Sequence, residues 1–313
     1  MVSCVLPQAC AKSGEPSDYA FELARLDQEI VRVEKEDTSG VPAGSMQGRW
    51  IQALASRAAL TGEFAQYHEL EQAIAAVVES TGTPPWLRVY RAQLNYHLHR
   101  FQRASSDLER LAQLPAAREL TADIALQEGD YAAALAGYRS LLAVERRWDT
   151  LARLAYLRAN TGHPDEAEQL YDEARSVLSA KQMRAYAWLE LQKGLIDWGD
   201  GRAEDALTHY RQANAEYSGY WLIEEHLAEA LAAIGRRSEA EEIYRSLVAN
   251  SRHPAFLDAL AGLVRADEAA ALRARAELLH AERWALYPQA AAGHQLPRSG
   301  DKSTQITAVG DLP

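Results

Sequence analysis

A three-residue pattern recurs along this chain at a spacing that few folds can accommodate. Each copy has a glycine, an alanine five residues later and a tyrosine four residues after the alanine. The alanines of the four clearest copies lie 33, 39 and 34 residues apart. A period near 34 residues is typical of arrays built from one pair of helices per unit. The four copies are Gly129/Ala134/Tyr138, Gly162/Ala167/Tyr171, Gly201/Ala206/Tyr210 and Gly235/Ala240/Tyr244.

The same frame continues in both directions with weaker matches. Towards the N-terminus it fits loosely around His99 and around Gly62, where bulkier residues replace some of the small ones. Towards the C-terminus, Pro254–Trp284 has the pattern of two helices without a glycine at its turn. We therefore expect about six or seven units.

The residues on either side of each glycine have the spacing of amphipathic helices. Gly235, for example, permits the backbone turn that ends one helix and starts the next. A helix hairpin of this kind cannot bury both faces alone, so stacked hairpins form one core. Ala and Leu dominate the apolar residues, which make up 48% of the chain, and both favour helices. The sequence predicts an all-α fold. The apolar positions around Gly235 are Ile223, Leu227 and Leu231 before it, and Ala240, Ile243, Tyr244 and Leu247 after it.

At these residues the sequence resembles the tetratricopeptide repeat (TPR) family. Glycine at position fifteen, alanine at twenty and tyrosine at twenty-four match the family pattern, whereas its tryptophan at four and proline at thirty-two are mostly missing. The resemblance covers about residues 48–285 and is strongest over 116–250. It implies a right-handed α-solenoid of about six or seven TPR-like hairpins; Sel1-like or HEAT-type arrays are the alternative. A composition rich in Ala, Leu and Arg favours a bacterial source. Further matches are Ala155, Gly194 and Ala228 at position eight, and Ala174, Ala213 and Leu247 at twenty-seven.

The segments outside and between the repeats divide the chain further. Residues 1–17 are predicted to be a disordered tail or the remnant of an export signal, 37–47 a linker and 291–313 a disordered C-terminal tail. The array itself is assigned to 48–290, with an insertion or a lengthened helix near 174–187. Residues 18–36 are predicted to form an amphipathic helix that caps the array or pairs with another chain. Its apolar face carries Tyr19, Leu23, Leu26, Ile30 and Val33.

The N-terminus bears on the compartment of the protein. Ala9, Cys10 and Ala11 have the small-x-small form of a signal-peptidase site, although no basic residue precedes them and the apolar stretch is short. A truncated export signal would place the protein in the periplasm or outside the cell. Lipid attachment at Cys10 and an ordinary tail, with a cytoplasmic protein, are the alternatives.

Composition and motifs argue against several kinds of chemistry. A formal net charge of −11 disfavours nucleic acid as a partner, and no apolar run is long enough to span a bilayer. Neither a His-Glu-x-x-His sequence nor a Gly-x-Ser-x-Gly elbow is present. Ser299–Thr304 is a weak match to a phosphate-binding loop, and Asp301 interrupts the motif. We therefore predict no cofactor, no metal site and no catalysis.

The resemblance implies which side chains line the concave face. In the family these are mainly positions two, five, nine and twelve of each first helix, and here they are aromatic or leucine with acidic neighbours. The alternative is that the tryptophans pack between helices instead. The predicted groove residues are Trp86, Gln93, Tyr96, Tyr156, Trp188, Leu191, Leu195, Trp198, Glu225 and Glu229, flanked by Glu119, Asp123, Asp149 and Leu222.

These residues predict a non-catalytic protein–protein interaction scaffold, in a bacterial envelope assembly if the export signal is real. The partner would be a peptide or protein segment with basic and apolar residues. A chaperone-tail adaptor is disfavoured, because Leu191 and Glu225 occupy positions at which a carboxylate clamp needs cations or amides. One alternative is a structural repeat protein that self-associates. The other is an enzyme or cofactor binder whose site is not visible in the sequence.

Overall fold

The computed structural model describes residues 16–35 and 43–293, which are helical throughout apart from turns and short connections. No strand occurs among these residues, so the predicted all-α class is confirmed. The helices are α1 (Asp18–Lys35), α2 (Ala43–Thr61), α3 (Phe64–Thr81), α4 (Pro85–His97), α5 (Phe101–Leu108), α6 (Pro115–Gln127), α7 (Tyr131–Leu142), α8 (Trp148–Asn160), α9 (Pro164–Ser176), α10 (Met183–Gly199), α11 (Ala203–Glu216), α12 (Trp221–Ala233), α13 (Arg237–Asn250), α14 (Pro254–Ala261), α15 (Ala266–Leu286) and α16 (Pro288–Gly293).

Helices α2 to α15 form seven consecutive antiparallel hairpins. Each even-numbered helix packs against the odd-numbered helix that follows it, and each hairpin packs against the next. The predicted array of about six or seven hairpins is thereby confirmed. Because each unit contacts mainly its neighbours, the core runs as a continuous layer along the chain.

The turn inside a typical hairpin needs a left-handed backbone residue. Gly129, Gly162, Gly201 and Gly235 occupy this position with φ of 82°, 81°, 78° and 85°. A Cβ at any of these four glycines would meet no atom within 4 Å, so the backbone conformation rather than space requires glycine. In the α4/α5 hairpin His99 takes the position with φ of 54°.

The repeated alanines and tyrosines form the inner packing of the hairpins. The four alanines are fully buried and the four tyrosines nearly so. Gly194 illustrates how close the two helices of a hairpin come, because a Cβ there would lie 2.5 Å from the Tyr210 ring. The small residues therefore let each tyrosine lie against the backbone of the partner helix.

The one long repeat interval has a specific cause. Helix α10 has 17 residues, whereas α8 and α12 have 13 each, and the connection 177–182 precedes it. The spacing of 39 residues between Ala167 and Ala206 thus comes mainly from a first helix with one extra turn. Of the two sequence-based alternatives, the lengthened helix is the better description.

The ends of the array differ in part from the sequence-based boundaries. The predicted N-terminal helix corresponds to α1, but α2 begins at Ala43, inside the predicted linker, and buries Met46. Helix α16 extends to Gly293. The tail 1–15 with its two cysteines, residues 36–42 and residues 294–313 lie outside the described residues, so the export signal and the periplasmic location stay predictions. None of the helices in the described ranges is long and apolar enough to cross a bilayer.

The first hairpin contacts the last ones, so the array closes on itself. The Trp221 indole Nε1 donates a hydrogen bond to the Leu60 carbonyl at 3.0 Å. The Tyr287 hydroxyl donates to Glu71 at 2.9 Å, and the Arg283 guanidinium lies 4.2 Å from the centre of the Phe64 ring. These contacts join α2 and α3 to α12, α15 and the α15–α16 turn.

Candidate functional site

Four of the predicted groove residues are buried in the core. Trp188 is 2% exposed and lies edge-on to Tyr171, while Leu191 is 0% exposed. Tyr96 and Tyr156 are also buried, each within a cluster of apolar side chains from adjacent hairpins. The prediction that these four side chains line an open groove is wrong, because packing between successive hairpins covers them.

The other six predicted groove residues keep accessible surface. Gln93 and Glu229 are exposed, and Glu225 is half-buried. Leu195 and Trp198 are half-buried at the margin of an apolar cluster, as is Trp86 in another. A partner could therefore contact only this subset, and their binding role stays a prediction.

The acidic flank predicted from α6 is neutralised by an arginine of the next hairpin. The Arg153 guanidinium lies 3.0 Å from Asp123 and 3.4 Å from Glu119. The Tyr138 hydroxyl donates to Asp123 at 2.8 Å, and the Thr150 hydroxyl donates to Glu119 at 2.8 Å. Burial raises the pKa of both carboxyls. This network links two hairpins instead of offering free negative charge, and no spacing in the sequence reveals the pairing.

Glu225 differs from its exposed neighbour Glu229 in its electrostatic surroundings. Desolvation raises the pKa of Glu225 to about 7, and the charge of Glu229 adds to the effect. His226 on the same helix and Arg283 from α15 act in the opposite direction without cancelling it. Near neutral pH Glu225 is therefore only partly ionised, and Glu229 is the more exposed of the two side chains.

A second accessible region, which the sequence did not predict, is a cavity of about 480 Å³ beside α1. We call it the α1 pocket. One side is the first two turns of α1, and the other is formed by the start of α8, the start of α10 with the residues before it, and Tyr217 directly after α11. Its lining residues are Asp18, Phe21, Glu22, Arg25, Trp148, Lys181, Gln182, Met183, Arg184, Ala185 and Tyr217.

Hydrogen bonds between distant parts of the chain hold α1 at this pocket. Asp18 accepts from the Ser218 backbone N–H at 2.9 Å and from its hydroxyl at 2.6 Å. The Tyr217 hydroxyl donates to Glu22 at 2.5 Å, and the Tyr19 ring stacks on Tyr220 with centroids 5.8 Å apart. The prediction that α1 caps the array or pairs with another chain did not include this contact, in which the N-terminal end of α1 docks on residues some 200 positions away in the sequence.

The approach of the two segments leaves no room for a side chain. Gly219 has φ of 75°, and a Cβ there would lie 2.4 Å from the Ser17 hydroxyl oxygen. Both the backbone conformation and the contact require glycine. The sequence signal that could have found this site is the short Tyr217–Tyr220 segment, in which a small Ser-Gly pair stands between two aromatic residues.

Metal chemistry has no visible basis in residues 16–35 and 43–293. These residues contain no group of three or more His, Cys, Asp or Glu side chains that could hold an ion. His97 stacks on Tyr67 with ring centroids 5.3 Å apart, and desolvation lowers its pKa to about 4. It is a neutral packing residue.

Comparisons with known proteins agree with the helical-repeat architecture. A family model described as the TT21 fifth ARM repeats domain matches residues 115–223, within the part of the chain where the repeat pattern is clearest. No curated protein sequence matches the chain. The predicted bacterial source stays a prediction.

Several solved structures resemble most of the chain at low identity. A monomeric mutant of IFIT1 with m7Gppp-AAAA has 14% identity and a TM-score of 0.56, covering 85% of this chain and 64% of that one. The APC/C hetero-tetramer Cut9-Hcn1 has 13% identity and a TM-score of 0.52, covering 88% and 52%. A tetratricopeptide repeat protein from Parabacteroides merdae has 14% identity and a TM-score of 0.47, covering 86% and 93%. The chain thus spans about half to two thirds of the length of the first two. At such identity the likeness concerns the fold alone, and in fold the chain is a helical repeat protein.

Proposed function

We propose that this protein is a non-catalytic scaffold that binds a peptide or protein segment on the concave face of its helical array. Stacked hairpins of this kind present a long surface along successive first helices, which suits recognition of a polypeptide. The single observation that supports this proposal is that predicted groove residues on two successive first helices keep solvent-accessible surface. Leu195 and Trp198 on α10 are followed by Glu225 and Glu229 on α12.

The chemistry of this set defines the partner that would fit. Half-buried aromatic and leucine side chains offer apolar contact area, and partly buried tryptophan is frequent among residues that dominate binding energy. Glu229 adds an exposed negative charge one helix further along. A segment with apolar anchors and a basic residue would satisfy both features, in keeping with the net charge of −11.

The experiment selects binding peptides from a random displayed library on the purified full-length protein and then tests variants. We expect Trp198→Ala and Glu229→Lys each to weaken the selected peptides by about tenfold, since each removes one anchor. Affinity is measured by fluorescence anisotropy. Matched controls are Tyr131→Ala and Glu168→Lys, exposed residues on the second helices α7 and α9.

The controls should leave affinity within about twofold of the wild type, as expected for residues outside the interface. Equal loss in control and groove variants, or selected peptides whose affinity none of the groove variants changes, would contradict binding on the concave face. Helical circular dichroism of each variant verifies that it is folded.

Self-association is the second candidate function, and one observation favours it. Helix α15 near the end of the array carries an exposed apolar side chain, Leu278, at 68% and an exposed Trp284 at 51%. Ala274 and Ala281 extend this face along the helix and are exposed as well. Light scattering of the wild type and of Leu278→Glu/Trp284→Glu tests self-association through this face. An oligomer that is lost in the variant would support it, and a monomer in both cases would contradict it.

A further inference from the structure

We propose that the α1 pocket is a second binding site, for an acidic peptide segment that carries an apolar side chain. This inference goes beyond binding on the concave face, because it concerns a different surface and a partner of opposite charge. The α1 pocket joins three observations: its size, its exposed apolar side chains and its unbalanced positive charge.

The apolar part of the α1 pocket is already exposed to solvent. Phe21 on α1 is 65% exposed and Met183 at the start of α10 is 43% exposed, on opposite sides of the cavity. Half-buried Trp148 at the start of α8 completes the apolar lining. A cavity of about 480 Å³ accommodates one large side chain and its neighbours. These side chains would lose unfavourable water contact when an apolar residue enters between them.

The acidic groups of the α1 pocket are already engaged within the protein. Asp18 accepts two hydrogen bonds from Ser218, and Glu22 accepts one from Tyr217. Glu22 also lies 3.6 Å from the Arg184 guanidinium. These carboxylates fix α1 in place, so they offer little to an incoming cation.

The cations of the α1 pocket outnumber these acids. Arg25 on α1 and Lys181 before α10 are both exposed, and neither has an ion pair or side-chain hydrogen bond within the described part of the chain. Among the described residues, the ion-pair partner of Arg184 is Glu22 alone, at 3.6 Å. On a protein with a net charge of −11, a local excess of cations beside apolar side chains is complementary to an acidic ligand.

A polypeptide fits this arrangement better than a small anion. The cations come from separate elements, Arg25 from α1, and Lys181 and Arg184 from the start of α10 with the residues before it. Each of these elements also contributes an apolar side chain, Phe21 or Met183. A peptide can place carboxylates before and after an apolar anchor, whereas a single compact anion reaches only one cation and leaves the aromatic surface uncovered. Cations and apolar side chains on two separate elements therefore favour a peptide that carries acidic residues on both sides of an apolar anchor.

The test uses the full chain and a labelled ten-residue probe with acidic residues on both sides of a central Phe-Leu pair. We expect saturable binding by fluorescence anisotropy, and a loss of about tenfold for Arg25→Glu/Lys181→Glu. The matched control is Arg103→Glu/Arg139→Glu, which makes the same charge change at exposed positions on α5 and α7. The control should change affinity by less than about threefold, the effect of net charge alone.

Three further probes separate specific recognition from general electrostatics. The same peptide with alanines in place of Phe-Leu should bind about tenfold more weakly, because the anchor is missing. A peptide with lysines in place of the acids and a thymidine oligonucleotide of equal negative charge should both bind at least about tenfold more weakly than the acidic peptide. Phe21→Ala should reduce affinity for the acidic peptide while leaving its alanine version unaffected.

Mapping the site distinguishes this proposal from the concave-face proposal. A benzophenone group at the anchor position should cross-link to Met183 or to α1. Cross-linking near Trp198 instead, equal binding of the oligonucleotide, equal losses in both charge-reversal variants or no saturable binding of the acidic peptide would overturn the α1 pocket as its site. None of these outcomes would contradict the binding of basic peptides on the concave face.

Discussion

At the scale of single residues, Glu225 shows how position within the array changes the chemistry of a side chain. Its pKa is raised to about 7 by desolvation, so the folded protein holds a proton that the unfolded chain releases near the ordinary value of 4.5. His226 and Glu229 on its own helix and Arg283 from α15 surround the carboxyl. The folded state is therefore favoured by this group below about pH 4.5, and that contribution is lost as the pH rises through 7.

The change Glu225→Gln should remove this dependence. Relative to the wild type, we expect the free energy of unfolding of the variant to increase between pH 5 and pH 8, by about 1–3 kcal/mol at the upper end. Urea unfolding at several pH values measures the difference. Glu168→Gln on α9, an exposed carboxylate, is the control and should change stability little at any pH. A constant difference between Glu225→Gln and the wild type would contradict the desolvation argument.

At the scale of elements, the hairpin turn is the unit that the repeat pattern specifies most directly. Gly201 has φ of 78° and open space around its missing Cβ, so its role is conformational. Gly201→Ala should destabilise the protein by about 1 kcal/mol, which is the cost of a left-handed residue with a side chain. Thermal and urea unfolding both measure this change.

A matched glycine two residues earlier provides the control for this turn. Gly199 lies in the last turn of α10, also with open space at its Cβ, but with helical backbone. Gly199→Ala should therefore leave stability unchanged or increase it by up to about 1 kcal/mol. Destabilisation of equal size at both positions would show that the turn conformation is not the cause.

At the scale of the whole molecule, the array is a closed structure whose ends support each other. Tyr287 is buried against Phe64, donates a hydrogen bond to Glu71 and lies more than 200 residues from both. Tyr287→Ala should therefore increase amide hydrogen exchange in α3 as well as in α15 and α16, because it removes a buried ring shared by the two ends. Tyr287→Phe, which keeps the ring, is the control and should lose only about 1 kcal/mol. Faster exchange confined to α15 and α16 would contradict mutual support of the ends.

The sequence predicted those features whose determinants lie close together along the chain. Gly162 and Tyr171 are nine residues apart, and together with Ala167 they specify a turn and the close packing of the two helices that it joins. The burial of Trp188 and Leu191 could not be predicted in the same way. A rotation of a first helix by a few tens of degrees about its axis decides whether such a side chain faces the concave surface or the next hairpin. Counting positions from each glycine therefore could not tell which side chains of a first helix stay accessible, and four of the ten predicted groove residues are buried.

By itself the sequence determined the hairpins, their approximate number and the stacking of neighbours, because a period near 34 residues repeats the same local contacts in every unit. Only the tertiary structure decided where distant units meet. The bond from Trp221 to Leu60 and those from Ser218 to Asp18 depend on the sum of small rotations between successive hairpins, which no spacing in the chain encodes. The closed array and the α1 pocket arise from that sum, and with them the second binding site proposed for this protein.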